Sequence, residues 1–285
     1  MRRLIVNADD FGMTSGVNRG ILEASVRGVV TSTTLIANSP AFDEAVQLAK
    51  ASAAFGVGCH AVLIHGVPML NGLAPLTNGS GRFKNSIKDF AQTALRGKLI
   101  GDEVQREVAA QIYKIQQAGL RVTHVDSHKH THIFPQVLRP VLRAAKECGV
   151  HAVRNPFEPT RVWLGRRMLA TPGMWFRCAG VTAFRVFGGE FRKGVAEVGM
   201  KTTDGTVGIA TTGKLDQRML EAILDALPEG TWELVCHPGF NDADLQAAET
   251  RLTNSREIEL QALTSDATKQ TIARRGIQLI SFAEL

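Results

Sequence analysis

The sequence predicts an α/β protein, a distorted or incomplete (β/α) TIM-like barrel in a single domain. Three observations predict it. Short apolar runs alternate with amphipathic helical stretches from the first residues, the pattern of a parallel sheet covered by helices. Polar side chains able to do chemistry collect where the apolar runs end, and in parallel barrels the carboxyl ends of the strands share one face. The chain has 285 residues, near the upper limit for one core but ordinary for a barrel.

In chain order, residues 4–7 read as a short buried strand that ends in Ala8, Asp9, Asp10 and Phe11, with Gly12 marking a turn. Thr14 or Ser15 caps a helix over 16–27, whose Val17, Ile21, Leu22 and Val26 share one face. Residues 29–38, rich in Val, Thr and Ile, form a second strand, and Pro40 opens a helix to about Lys50. The third strand, 56–64, carries His60, and the Gly-, Pro- and Asn-rich stretch 67–84 is an exposed loop. Helices follow over 87–95 and 102–118, the second with an acidic start and Gly119 at its end. Residues 122–127 form a strand leading into a histidine cluster, Pro135 starts a helix to about Cys148, and 150–154 is a strand stopped by Asn155-Pro156. Residues 161–194 break the rhythm as an apolar and basic insertion. It holds Trp163, Trp175, several Met, Leu and Phe residues, and seven interleaved Arg or Lys residues. Beyond it come strands over 207–209, 232–236 and 278–282, with helices over 216–226, 255–263 and 266–275.

Composition narrows the class. A hydrophobic content of 44% with 21% charged residues is globular. Cys59, Cys148, Cys178 and Cys236 include no C-x-x-C pair, which argues against a thiolate zinc site or a disulfide framework and fits a reducing compartment. No signal peptide and no membrane span is read, so the expected location is cytoplasmic. The net charge of +6 is read first as a solvated basic surface, with no nucleic-acid partner expected. The oligomeric state is left open, a homodimer included.

Residues His124 to His132 carry four of the eight histidines, and His124, Asp126, His128, His130 and His132 occupy alternate positions. On an extended strand these would share one face, spread over about 25 Å. One ion can then take only one or two of them, and its other ligands must come from elsewhere in the chain. Asp9 and Asp10 follow the first strand, His60 lies on the third, and His237 follows the run 232–236. A carboxylate with two histidines is a hydrolytic metal shell that leaves positions open for water and substrate. Of two adjacent acids, one can bind the ion while the other accepts a proton from water, and His237 can donate a proton to a leaving group. Charge and spacing do not say which of Asp9 and Asp10 does which.

Together, Asn-Ala-Asp-Asp-Phe-Gly (7–12), Thr-Ser-Thr-Thr (31–34), Gly-Cys-His (58–60), Asp-Ser-His-Lys-His-Thr-His with Pro135 (126–135) and Cys-His-Pro-Gly-Phe (236–240) resemble the YdjC-like carbohydrate deacetylase family, in order and over essentially the whole chain. The resemblance implies the distorted barrel and removal of an N-acetyl group from an amino sugar with one divalent ion, Mg2+ or Zn2+. It implies Asp10, His60 and His128 as ligands, Asp9 as general base and His237 as general acid. Asp126, His130, His132 and Arg154 are expected to support the ligands or face substrate. Relatives commonly carry Leu or Phe where this chain has Ala61, an exchange expected to widen the pocket. The opening and the insertion also resemble a subgroup associated with hopanoid biosynthesis, which implies an acetylglucosaminyl lipid as substrate and peripheral contact with the inner membrane face through 161–194.

Blander readings stand beside these. Asp9-Asp10 can serve as a helix N-cap region, His60 as a core histidine, and 161–194 as a helical hairpin packed on the barrel. His65 and His151 are taken as structural, Cys236 as a buried apolar group, and His124 with His130 and His132 as a supporting row. Alternatives at the level of function are a deacetylase of soluble chitooligosaccharides, an amidohydrolase of another small amide, or a basic non-catalytic protein that binds nucleic acid or membrane.

Overall fold

The computed structural model describes residues 1–52, 55–159 and 173–285. Its centre is β1 (Arg2–Phe11). In order come β2 (Ser32–Leu35), β3 (Gly56–Ala61), β4 (Val122–Ser127), β5 (Ala152–Val153), β6 (Gly205–Val207), β7 (Gly230–Cys236) and β8 (Ile277–Leu279). The sheet runs β5-β4-β3-β2-β1-β7-β6, and β8 adds to the start of β1. Every strand pairing is parallel. Between β5 and β6 single backbone bonds replace a ladder: Val153 N–H donates to Lys201 O and Thr206 N–H to Phe157 O. The barrel is therefore incomplete, a parallel half-barrel in one α/β domain, as the sequence predicts.

The helices are α1 (Ser15–Val26), α2 (Phe42–Ala51), α3 (Ile87–Leu95), α4 (Gly101–Gln117), α5 (Pro135–Glu147), α6 (Met174–Ala183), α7 (Gly188–Val198), α8 (Gln217–Ala226), α9 (Ala243–Ala247), α10 (Asn254–Thr264) and α11 (Asp266–Arg274). Thr14 caps α1, its hydroxyl accepting from Val17 N–H. The main apolar core among the described residues runs from Leu4 to Ile277, and Ile5, Ala152, Ile280 and Phe282 form a smaller second cluster, so strand residues are buried on both faces as βαβ connections require. The predicted insertion is described only from residue 173, as α6, a 3-10 turn (Phe184–Phe187) and α7; Trp163 and the rest of residues 160–172 lie outside the described residues. No helix among the described residues is long and apolar enough to cross a membrane.

Several boundaries differ from the sequence reading. β1 runs ten residues, not four, because Asn7 and Asp9 find polar partners inside the barrel and Asp10 pairs with Arg256 at the strand's end. β2 is shorter than expected, and residues 36–38 leave the sheet to form part of a cleft. The histidine row does not stay extended. β4 ends at Ser127, and a 3-10 turn (His128–Ile133) follows, with Lys129 at φ 54° and His130 at φ 53°. Ser127 Oγ closes that turn by accepting from His132 N–H at 2.9 Å. At the other end of the chain, β8 is shorter than predicted. Ser281 and Glu284 form a capping box that turns Phe282 under the barrel, where it stacks on His124 with ring centroids 3.8 Å apart.

α1 approaches the loop after β7 through glycine. A Cβ added at Gly20 would stand 2.4 Å from the Gly239 Cα, two residues past His237. Gly20→Ala should therefore lower stability by about 1–3 kcal/mol despite alanine's better helix propensity. The check is the urea midpoint; an unchanged or raised midpoint would show that this contact is slack.

Candidate functional site

The strand ends bring distant residues to one point. Asp9 and Asp10 lie in the last turns of β1, His60 near the end of β3 and Asp126 near the end of β4; His128 follows β4, Arg154 follows β5, and His237 follows β7. Asp10 Oδ1 is 3.6 Å from His60 Nε2 and 3.4 Å from His128 Nδ1. The two imidazole nitrogens are 3.3 Å apart. Three donor atoms at such spacing can all reach an ion at about 2.0–2.2 Å, the length of zinc–nitrogen and zinc–oxygen bonds. Asp10 Oδ1 is buried and has no hydrogen-bond partner among the described residues. An unpaired buried carboxylate oxygen is costly, and a cation at this point would satisfy it. The residues thus fit a divalent ion.

Neighbouring groups orient two of the three donors, His60 and Asp10. His60 Nδ1 lies 2.7 Å from Asp126 Oδ1, which turns Nε2 toward Asp10 and His128. Burial lowers the His60 pKa, but Asp126, Asp9 and Asp10 outweigh it and push it up to about 9. The pocket therefore draws positive charge, as a proton or as a metal ion. Asp10 adopts φ 70°, a left-handed conformation that is uncommon outside glycine. Its Oδ2 accepts from Arg256 Nη2 at 2.6 Å. Burial works to raise the Asp10 carboxyl, and Arg256 with the two histidines holds it well below the usual range.

A second group, Asp9, His60 and Asp126, also brings donor atoms close together. Here a protein cation already sits. Arg154 is fully buried, and its Nη1 donates to Asp9 Oδ2 at 2.8 Å, its Nη2 to Asp9 Oδ1 at 2.6 Å and its Nε to Glu233 Oε1 at 2.8 Å. Its Nη1 is also 2.6 Å from Asp126 Oδ2. Burial would raise the Asp9 carboxyl, but the charge and hydrogen bonds of Arg154 keep it far below the carboxylate range. Glu233, buried without such full compensation, is pushed up to about 7.

His237 N–H donates to Glu259 Oε2 at 2.6 Å, and His237 Nε2 lies 4.0 Å from Asp9 Oδ2. Burial pulls its imidazole down to about 4 against the pull of Asp9 and Asp10, so the ring is neutral near pH 7. The remaining histidines separate. His130 lines the same cavity, with Nδ1 unpartnered among the described residues. His132 is buried against Ser127 Oγ (2.6 Å) and the Arg154 carbonyl (3.2 Å). His124 lies deeper, 3.1 Å from Asn7 Oδ1. His65, taken as structural, instead faces a cleft beside His128, and Lys129 Nζ reaches its Nε2 at 2.5 Å. His151 is exposed.

Asp9, Asp10, His60, His128, His130 and His237 open onto one cavity of about 430 Å3. An adjoining cleft of about 630 Å3 shares Met13, His128 and Glu249 with it. Ala61 is fully buried and is not among the residues that line either one. Sequence reasoning missed Glu233, Arg256 and Glu259. Glu233 left a signal, a lone acid inside a buried apolar strand; Arg256 and Glu259 left none, since a polar helix face is ordinarily solvated.

Residues 3–274 match the family described as YdjC-like protein. The chain belongs to the YdjC-like family. Among its relatives, a carbohydrate deacetylase of Brevibacillus brevis is 35% identical, with 99% of each chain covered. A carbohydrate deacetylase of Geobacillus stearothermophilus is also 35% identical, over 99% of this chain and 98% of its own. Among solved structures, a candidate cellobiose-phosphate cleavage protein of Enterococcus faecalis superposes with a TM-score of 0.79 at 29% identity, over 99% of this chain and 98% of that one.

Glu233 gives the site a pH signature. Its pKa in the fold, about 7, lies above its ordinary 4.5, so the fold prefers the protonated form. The associated stability is complete below pH 4.5 and is lost as pH rises through 7. Glu233→Gln mimics the protonated acid. It should match wild type at pH 5 and exceed it at pH 8 by up to about 3 kcal/mol. Denaturant unfolding at both pH values checks this; a variant equally destabilised at both would show that the ionised acid is needed.

Proposed function

We propose that this protein is a metal-dependent deacetylase that hydrolyses the N-acetyl group of an N-acetylglucosamine-containing substrate. The observation that carries the reading is the trio Asp10, His60 and His128, with its unpartnered buried carboxylate oxygen facing two imidazoles. The carbohydrate deacetylases among the relatives supply the substrate class. Two imidazoles with one carboxylate suit Zn2+ better than Mg2+, which prefers an oxygen-rich shell. When bound, the ion supplies a Lewis acid for the acetyl carbonyl and lowers the pKa of water.

The protein's own groups divide the proton work. Arg154 keeps Asp9 ionised, the form a base needs, while weakening its hold on a proton. Asp9 accepts the proton of the attacking water only in passing. His237, neutral beforehand and 4.0 Å from Asp9 Oδ2, receives it and delivers it to the departing amine. Asp126 fixes His60, and His132 holds the Arg154 backbone. His130, on the cavity wall, faces substrate.

A lipid-linked substrate is the finer reading, and two features support it. The apolar part of the cleft beside the trio is aliphatic, Met13, Ile36, Pro40, Val62 and Ile64 with no Trp, Tyr or Phe among the described residues, which suits an aliphatic group, while Arg82, Asp244 and Glu249 on the same cleft suit a polar head. In the insertion at about 161–194, Trp175, Phe176, Phe184 and Val186 are exposed among basic residues, a composition that suits a membrane face.

His128→Ala should cut bound metal by at least tenfold, read by elemental analysis after dialysis. Unchanged stoichiometry removes it as a ligand. Asp9→Asn should keep its metal yet lose about 100-fold or more in kcat for acetate release; full activity would leave His237 to act as base and acid alone. Mass spectrometry of acetyl loss from chitooligosaccharides and from N-acetylglucosaminyl lipids, with and without chelator, separates the two substrate readings.

A further inference from the structure

The first turn of α10 reaches the proposed metal site from outside the barrel. Arg256 is fully buried, although it lies on a helix whose sequence reads as polar. Its Nη2 donates to Asp10 Oδ2 at 2.6 Å, and its Nε donates to Leu252 O at 3.1 Å. Its carbonyl accepts from Gly239 N–H, which ties the same turn to the loop bearing His237. Nη1 is buried without a hydrogen-bond partner among the described residues.

That is a poor arrangement for stability alone. A buried ion pair with an unsatisfied N–H is commonly replaced by apolar side chains at no loss. It is a good arrangement for aiming a carboxylate. Asp10 stands on a left-handed backbone, and with Oδ2 held by Arg256 its free Oδ1 faces His60 and His128. We infer that Arg256 is a positioning residue for the metal site, holding Asp10 so that one oxygen is reserved for the ion. This rests on the reading of Asp10, His60 and His128 as ligands.

The sign of the effect separates positioning from plain electrostatics. Arg256 carries positive charge beside a cation site, so removing it should tighten metal binding if charge alone counts. If Arg256 positions Asp10, removing it should weaken binding, as loss of a group that orients a ligand does.

The experiment is calorimetric titration of metal-stripped full-length protein with zinc chloride. Arg256→Gln is expected to bind zinc about 10- to 100-fold more weakly than wild type, with an unchanged circular dichroism spectrum. Equal or tighter binding by the folded variant overturns the inference. Should Arg256→Gln fail to fold, Arg256→Lys decides: it keeps the charge and one donor but not the planar fork, and should bind about tenfold more weakly. Wild-type affinity in Arg256→Lys overturns the inference. His128→Ala serves as the control on the underlying reading. If wild type takes up no zinc, or His128→Ala takes it up equally well, the metal site itself is refuted. If His128→Ala loses zinc while the Arg256 variants keep it, only the positioning role falls.

Discussion

Arg154 is the interaction on which the rest of the structure depends. A fully buried guanidinium meets carboxylates from three strands: Asp9 on β1, Asp126 on β4 and Glu233 on β7. Acids cannot share a dry barrel interior without a cation, and a buried cation needs an ionised partner, which Asp9 supplies. This mutual requirement lets β1 run polar residues into the barrel. It also joins the sheet across its open seam, because Arg154 follows β5 while Glu233 sits on β7 beyond β6. Asp126 in turn orients His60, so the aim of a proposed metal ligand is set by hydrogen bonds that begin at the guanidinium.

Asp9 and Asp10 show how neighbours divide identical chemistry. Each has its own arginine. Arg154 takes both oxygens of Asp9, while Arg256 takes only one of Asp10. The first acid is left ionised and neutralised; the second keeps a free oxygen facing two imidazoles. The left-handed backbone at Asp10 breaks the strand's alternation, so that both acids open onto one cavity and not onto opposite faces of the sheet. α10 supports both sides of the site, through Arg256 at Asp10 and through Glu259 at the His237 backbone.

Much of the fold was legible because its signals are local. Alternating strands and helices, the Thr14 cap, the helix starting at Pro135 and the strand ending at Ser127 follow from periodicity and capping. The misreadings have a common cause. Polar residues were read as strand ends, yet in β1 they continue the strand into a polar interior. The alternation of His124 to His132 suggested one shared face if the stretch stayed extended, yet the hydrogen bonds of Ser127 fold the part beyond the strand into a turn. The short α9 and the cleft beside the trio went unread, because both arise from how loops pack and not from any repeat in the chain.

By itself the sequence determined the class of the fold, the face on which chemistry gathers and the residue types gathered there. Hydrophobic period and strand-end position are properties of short segments, and they survive without coordinates. Only the tertiary structure decided how Asp9 and Asp10 differ, which imidazole nitrogens face Asp10, and that His124 and His132 support the barrel while His130 faces the cavity. It also brought in Glu233, Arg256 and Glu259. The physical reason is that charge and orientation in a buried site are set by partners far away in sequence: Arg256 meets Asp10 across most of the chain, and nothing near either residue announces the other.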